Sequence, residues 1–191
     1  FSQSFSASFG SAPRLLTNIA RFDGSDPASA RVKSLTANGF QVNAEEEASA
    51  DAEVTHTTES VDYVAVEGSG ALTARRVGQL PIAEYGNISL THGVQTIDLT
   101  VDFLNPVVIA KATTRNGGDP IAVRVTDVQS GQFSLRLQEP NYLDDMHTTE
   151  SVSWLVMEAG TWELADGTRL QAGTLNSNKL SSAGFESVSF E

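Results

Sequence analysis

The stretch HTTESVDYVAVEGSG, from His56 to Gly70, returns 91 residues later as HTTESVSWLVMEAGT, from His147 to Thr161. Five identical residues open each copy, and a run rich in apolar residues follows. Self-similarity at a fixed distance predicts that one structural unit occurs twice in the chain. After HTTES the side chains are apolar on both faces of the run, which favours a central strand covered on each side.

Further matches extend the repeat in both directions. GSDPASARV at 24–32 matches GGDPIAVRV at 117–125, and FSASFGSAP at 5–13 corresponds to LTVDFLNP at 99–106. We therefore predict a first repeat over 1–93 and a second repeat over 94–184. GVQTIDL from Gly93 also aligns with GFESVSF from Gly184, so 185–191 reads as the first strand of a third repeat in a longer tandem array. The alternative is that these last residues complete the second repeat.

Period-two patterns predict strands and argue against helices. Ile97, Leu99, Val101 and Phe103 alternate with Thr and Asp side chains, as in a half-buried strand. Segments at 31–35, 40–44, 124–128 and 133–137 read as hairpin strands separated by short Gly or Asn turns. The acidic segment 44–53 has helical propensity, but its counterpart carries Pro140, so we predict loops in both places. The predicted fold is all-β, with two tandem antiparallel β-sandwich units of about six strands each.

Composition excludes several classes of partner. The chain has 191 residues, a net charge of −12 and no Cys, which leaves no disulfide, thiolate metal site or Cys nucleophile. Nine Arg and three Lys against this acidity argue against nucleic acid and anionic membranes. No apolar run reaches the roughly 18 to 20 residues that cross a bilayer, so we expect a soluble chain without membrane insertion. Because the sequence begins at Phe1 and stops within a repeated pattern, we expect part of a longer extracellular or cell-surface protein.

The order of motifs within a repeat resembles that of H-type lectin domains. The second repeat shows it best, with FxxP at Phe103 to Pro106, the apolar pair Val107 and Val108, and a closing Val-x-Trp-Leu from Val152. The resemblance implies a six-stranded antiparallel sandwich that binds galactose-type sugars and forms homo-oligomers. It also implies that Arg31 and Arg124, which lie where the lectins have an Arg near a strand start, contact the sugar.

The first repeat departs from the lectin pattern at two places. It has Arg14 and Leu15 instead of the apolar pair, and Tyr63 instead of the strand Trp. Both repeats also carry HTTES, which the lectin pattern lacks. The resemblance therefore predicts the fold of this chain better than it predicts the sugar that the chain binds.

The duplicated His and Glu residues of HTTES have two interpretations. His56 with Glu59, and His147 with Glu150, could bind a cation or a sugar hydroxyl group in each repeat. Alternatively, these side chains cap the turn before the central strand in a local network with the backbone. We favour the second interpretation, because turn chemistry is the commoner use of these residue types.

Asp residues on tight turns raise the possibility of calcium. Asp26 and Asp119 follow Gly-containing turns and precede Pro, and Asp144 and Asp145 lie in an acidic loop. Oxygen ligands of this kind suit Ca²⁺. The alternative is an Asx turn in which each Asp pairs with the Arg five residues later, and we favour it because two oxygens per loop are too few.

Trp162 is the asymmetric candidate, because Ala71 stands at the matching position of the first repeat. A Trp in a turn region suits a sugar-stacking platform or an interface anchor, and it equally suits a cover for the end of a sandwich. Glu67 and Glu158 are duplicated, which points to architecture rather than to a glycosidase pair.

Nucleophile-elbow and nucleotide-binding motifs are missing from the sequence. We therefore predict a non-catalytic extracellular carbohydrate-binding module whose partner is a glycan or cell-surface polysaccharide. No cofactor is certain, although calcium is possible. The alternative is a structural or adhesion repeat of a bacterial surface protein.

Overall fold

The computed structural model describes residues 1–21, 23–24, 26–49, 51–74, 80–177 and 187–189. These residues form strands, turns and loops without a helix, and every strand pairing among them is antiparallel. The predicted all-β, sandwich-type fold is confirmed. Within the same residues, no helix is long and apolar enough to span a membrane.

The strands follow the repeat. Those of 1–93 are β1 (Ser2–Ser4), β2 (Arg14–Ile19), β3 (Ala28–Thr36), β4 (Gly39–Glu46), β5 (Val61–Val66), β6 (Gly70–Thr73) and β7 (Pro81–Leu90). Those of 94–184 are β8 (Gln95–Asp98), β9 (Pro106–Ala112), β10 (Ala122–Gln129), β11 (Gln132–Gln138), β12 (Glu150–Glu158), β13 (Gly160–Glu163) and β14 (Arg169–Ala172). The hairpins predicted at 31–44 and 124–137 are β3–β4 and β10–β11.

The same sheet arrangement appears twice. Strand order β1-β4-β3 in the first repeat matches β8-β11-β10 in the second, and the pair β2-β5 matches β9-β12. Both hairpins even carry the same irregularity, with a register shift after Lys33 and after Thr126 and a positive φ at Ser34 and Asp127. Such a bulge bends and twists a hairpin in a fixed way, so its duplication reflects a repeated backbone.

The main core lies in the second repeat, between sheet β10-β11-β8 and sheet β6-β7-β12-β9. Its centre is an edge-to-face pair of Phe133 and Trp154, whose rings lie 5.6 Å apart. Buried aliphatic side chains from β7, β11 and β12 surround this pair. The core of the first repeat is smaller and is built on Leu15, Val32 and Phe40. Burial of these alternating apolar side chains is the main force that holds each pair of sheets together.

Strand β7 joins the two repeats. It belongs to the predicted first repeat, yet it pairs along β12 of the second, from Leu90 opposite Glu150 to Ala83 opposite Met157. Consequently β12 is a central strand, as the sequence predicts. For β5 that prediction is wrong within the described residues, because β5 pairs with β2 alone. The predicted boundaries at 93 and 184 stay predictions.

Two other strand predictions need correction. The alternating run at 97–103 is a strand only as far as Asp98, because its partner β11 begins at Gln132 and only the preceding turn lies beyond it. Leu99 and Phe103 donate to the oxygens of that turn, at Gly131 and Ser130. The buried carboxylate of Glu84 accepts hydrogen bonds from the backbone and hydroxyl of Thr100 at 2.8 and 2.9 Å. Similarly, β1 ends at Ser4, before the predicted inward residues at 5–9. In the acidic segment, β4 continues to Glu46 and a loop follows, without helix. The predicted strand of a third repeat lies mostly outside the described residues.

Candidate functional site

His147 of the second HTTES motif lies between two buried carboxylates. Its Nδ1 is 2.8 Å from Glu139 Oε1, and its Nε2 is 3.2 Å from Glu150 Oε1. All three side chains are almost fully buried. We call these residues the second Glu–His–Glu cluster. It connects the end of β11 to the start of β12.

Glu150 of this cluster also holds a loop in place. It accepts backbone hydrogen bonds from Asn116 and Gly117 at 2.8 to 3.0 Å, and a third hydrogen bond from the hydroxyl of Thr114. Burial alone raises the pKa of Glu150, but the hydrogen bonds from Thr114, the loop backbone and His147 outweigh it, and the pKa is lowered. A buried carboxylate with several donors stabilises the local fold in its ionised form.

The first repeat contains the same arrangement. His56 lies 2.9 Å from Glu46 and 3.1 Å from Glu59, and Glu59 accepts backbone hydrogen bonds from Asp23 and Gly24. We call Glu46, His56 and Glu59 the first Glu–His–Glu cluster. The hydrogen bond with Glu46 raises the pKa of His56 despite desolvation. The pKa of Glu59 is lowered, chiefly by the Gly24 backbone.

Glycine is required where each loop passes its histidine. A Cβ atom on Gly24 would approach the ring of His56 to 2.6 Å, and one on Gly117 would approach the ring of His147 to 2.4 Å. Real Cβ atoms essentially never lie within 3.0 Å of such a neighbour. The Gly residues of GSDP and GGDP therefore allow the loop backbone to reach the carboxylate.

The sequence analysis correctly paired each His with the Glu that follows it in HTTES. It missed the second carboxylate of each cluster, Glu46 and Glu139, although these two residues are also 93 positions apart.

The two candidate arginines have different environments. Arg31 is buried, with its Nε 2.9 Å from Glu45 of its own repeat and its Nη2 3.5 Å from Glu150 of the second repeat. Glu45 forms another ion pair with Arg115, at 2.8 Å. Arg124 is more exposed and donates to Gln138, the counterpart of Glu45, at 2.7 Å. Arg31 therefore links the two repeats, and Arg124 does not.

The aspartates predicted to bind metal do not share one site in the described residues. Asp26 lies with Glu46 and Glu53, each offering an oxygen within 4.8 Å of the others. Asp144 accepts from the backbone of Met146, and Asp145 forms a two-oxygen ion pair with Arg136. Asp119 lies in an exposed loop of the second repeat.

The possible calcium ligands are few, and the predicted Asp–Arg pairs are not seen. Calcium usually takes six to eight oxygens, and the Asp26 group supplies three carboxylates, of which Glu46 already contacts His56. The alternative pairing of each Asp with the Arg five residues later is wrong, because Arg31 and Arg124 contact Glu and Gln side chains instead.

Trp162 packs inward over the sheet. Its Nε1 donates to the backbone oxygen of Glu158 at 2.9 Å, and its ring joins an apolar cluster with Ala83 and Met157. Glu158 accepts backbone hydrogen bonds from Leu104 and Asn105 at 2.7 and 2.8 Å. Its counterpart Glu67 likewise accepts from Gly10. These contacts match the interpretation of Trp162 as a cover and of the duplicated Glu residues as architecture.

A groove of about 700 Å³ lies between the two repeats. Its lining includes Arg124, Gln138 and Tyr142 from the second repeat and Glu47 from the first. Tyr142 crosses the groove, since its hydroxyl accepts a hydrogen bond from the backbone of Ala48 at 2.9 Å, yet 46% of its surface stays exposed. No sequence pattern pointed to Tyr142, which has no aligned aromatic residue in the first repeat.

Comparison with known proteins gives one partial match. The chain is 38% identical over 109 residues to halomucin of Haloquadratum walsbyi, a match that covers 53% of this chain and 1% of halomucin. No family model matches the chain. No solved structure matches it either. The resemblance to H-type lectins stays a prediction.

Proposed function

We propose that this chain is a non-catalytic structural repeat of an extracellular surface protein. The observation that carries the proposal is the use of the duplicated polar residues: in each Glu–His–Glu cluster the Glu of HTTES, Glu59 or Glu150, binds the loop backbone of its own repeat. The partial match to halomucin, a surface-associated protein, supports a surface-protein repeat region. On this proposal the chain spaces or joins other parts of the surface protein.

Burial argues that the clusters serve architecture. Both ring nitrogens of His147 face carboxylates, and Glu139 and Glu150 are as deeply buried as the ring. A ligand would have to displace contacts that hold the loop against β12. Buried polar groups that satisfy one another specify a single local arrangement, which is the role expected of a structural turn.

The ion pairs of Arg31 support a spacer with a fixed angle between its repeats. The guanidinium group reaches one carboxylate in each repeat, and the side chain is 2% exposed. Removing one partner of a buried ion pair leaves an uncompensated charge, which makes separation of the repeats unfavourable. Two repeats linked in this way unfold together.

Two measurements test this proposal. Antibodies raised against the chain should label intact cells of the source organism, and calorimetry of the isolated chain should show a single unfolding transition. In the Arg31→Met variant the transition should separate into two, whereas Arg124→Met should leave it single. Antibody labelling that requires lysed cells, or two transitions in the unmodified chain, would contradict the proposal.

Carbohydrate binding is a second candidate function, and the groove between the repeats favours it. Tyr142 offers a partly exposed ring, and Arg124 and Gln138 offer polar groups nearby, which together suit a sugar face and its hydroxyl groups. Retention of the chain on an immobilised polysaccharide, lost in Tyr142→Ala and kept in the matched Tyr63→Ala variant, would support this candidate. Equal retention of both variants would place binding elsewhere and count against the groove.

A further inference from the structure

We propose that the free edge of β5 accepts a strand of the β7 type from another repeat that precedes β1. Successive repeats would then be joined by strand exchange, as β7 joins the first repeat to the second. The inference rests on the proposed role as a surface-protein repeat, and it adds a specific partner and a specific interface.

The strand pair that would receive this strand is already built. In the second repeat Trp154 lies opposite Ala110 of β9, and in the first repeat Tyr63 lies opposite Thr17 of β2, which is the matching position. The register of the two pairs is therefore the same. What β12 has in addition is β7 on its other edge.

β5 is much more exposed than β12 among the described residues. Tyr63 is 40% exposed and Trp154 is 7% exposed, although they occupy matching positions. Val64, on the other face of β5, is 58% exposed. Apolar side chains on an open strand edge are the usual mark of a surface that pairs with another strand.

The backbone of β5 has alternate groups free to bind such a strand. Ala20 donates to the oxygen of Ser60, just as Thr113 donates to the oxygen of Ser151. Since successive residues of a strand point their backbone groups to opposite edges, those of Val61, Tyr63 and Ala65 point away from β2. In the second repeat the matching residues pair with β7.

The observed β7 defines what the partner strand must look like. Gly86 lies opposite Trp154, and a Cβ there would approach the indole ring to 2.6 Å, so the partner needs a small residue opposite the aromatic side chain. Ile88 and Leu90 pack into the core, so apolar residues are needed at those positions. Glu84 of β7 accepts a hydrogen bond from Thr100. Ser6 of the first repeat aligns with Thr100 and is exposed, so an acidic residue of the partner strand can bind it in the same way.

The chain connection also fits. Four residues, 91–94, lead from β7 to β8, and Gln95 then lies opposite Leu135 of β11. Phe1 occupies the same place in the first repeat, where it exchanges backbone hydrogen bonds with Val42, the counterpart of Leu135. A strand placed directly before Phe1 would therefore reach β5 through the same short turn.

The test is to place a copy of residues 80–94, LPIAEYGNISLTHGV, before Phe1 of the full chain. We expect amide hydrogen exchange at Val61, Tyr63 and Ala65 to slow by more than about tenfold, because these groups gain partners. The matched control carries Ile88→Asp in the added copy only and should leave exchange at these three residues as in the unextended chain.

Two results would overturn the inference: unchanged exchange at the three residues with the native extension, or equal slowing with the native and the Ile88→Asp extensions. Either result leaves the surface-repeat proposal intact, because repeats can follow one another without exchanging strands. Conversely, failure of antibody labelling on intact cells would remove the surface role and leave the exchange result unaffected.

Discussion

Strands β5 and β12 share a sequence motif and have different environments. β5 starts directly after HTTES and β12 starts within it. In the same register, β5 pairs with β2 and β12 pairs with β9. A Glu that binds loop backbone stands just after β5, at Glu67, and at the end of β12, at Glu158. Yet β12 is central, and β5 is an edge among the described residues. The difference comes from β7, which covers one and not the other. A strand is thus central because a second strand pairs with its other edge. Its own pattern of apolar residues is compatible with that position but does not determine it.

The largest expected effect concerns the aromatic side chains at matching positions of the two strands. Trp154→Ala should lower the free energy of unfolding by about 3 to 5 kcal/mol, because the indole ring is buried against Phe133. Tyr63→Ala should cost about 1 to 2 kcal/mol, since much of the ring is exposed. Urea unfolding followed by circular dichroism measures both. Equal losses would show that β5 is as well covered as β12.

The arginines at matching positions should differ nearly as much. Arg31→Met removes the cation that Glu45 and Glu150 share and leaves both carboxylates buried. We therefore expect the free energy of unfolding to fall by about 3 kcal/mol or more. Arg124→Met removes a more exposed hydrogen bond to Gln138 and should change stability by less than about 0.5 kcal/mol. The same urea experiment applies. A small loss for Arg31→Met would mean that the ion pair does not hold the repeats together.

Because of the first Glu–His–Glu cluster, the stability of the chain should pass through a maximum as the pH is raised. The pKa of Glu59 is lowered, so its contribution is present above the ordinary value of 4.5 and is lost as the pH falls through the folded pKa. The pKa of His56 is raised, so its contribution is full below 6.5 and is lost as the pH rises through the folded pKa. Melting temperatures should therefore be highest between about 4.5 and 6.5.

The variant His56→Gln isolates the alkaline side of this profile. It should lower stability at pH 6 and remove the decline above pH 6.5, while the acid side stays. Melting curves at half-unit steps of pH would show this. A variant whose alkaline decline matches that of the unmodified chain would assign the decline to another group.

The smallest expected effect is that of calcium on the melting temperature. Asp26 and Asp119, which lie at matching positions of the two repeats, provide the comparison. Only Asp26 has two neighbouring carboxylates among the described residues, and three are few for Ca²⁺. Calcium or a chelator should shift the melting temperature by less than about 1 °C, which is well under 1 kcal/mol for a chain of this size. A larger shift that Asp26→Asn abolishes and Asp119→Asn preserves would establish a calcium site in the first repeat.

The sequence predicted local structure well, because repeats and alternation report on short-range order. The β3–β4 and β10–β11 hairpins and the pairing of His147 with Glu150 followed from spacing alone. The role of β7 could not be predicted, because its pairing with β12 joins residues that are 60 to 74 positions apart, from Leu90 with Glu150 to Ala83 with Met157, and a strand pattern does not identify its partner. Likewise, Arg31 and Arg124 match in sequence, and only the packing of the repeats buries one of them. Glu84 holds Thr100 through hydrogen bonds that no local pattern reveals.

Residue-resolved amide hydrogen exchange of the unmodified chain tests most directly whether β5 is an open counterpart of β12. We predict fast exchange at Val61, Tyr63 and Ala65, and slow exchange at Val152, Trp154 and Val156, which lie at matching positions against β7. Asp62, Val64 and Val66 should exchange slowly, because they face β2. Protection of Val61, Tyr63 and Ala65 equal to that of the three β12 residues would contradict the open edge and the strand exchange built on it.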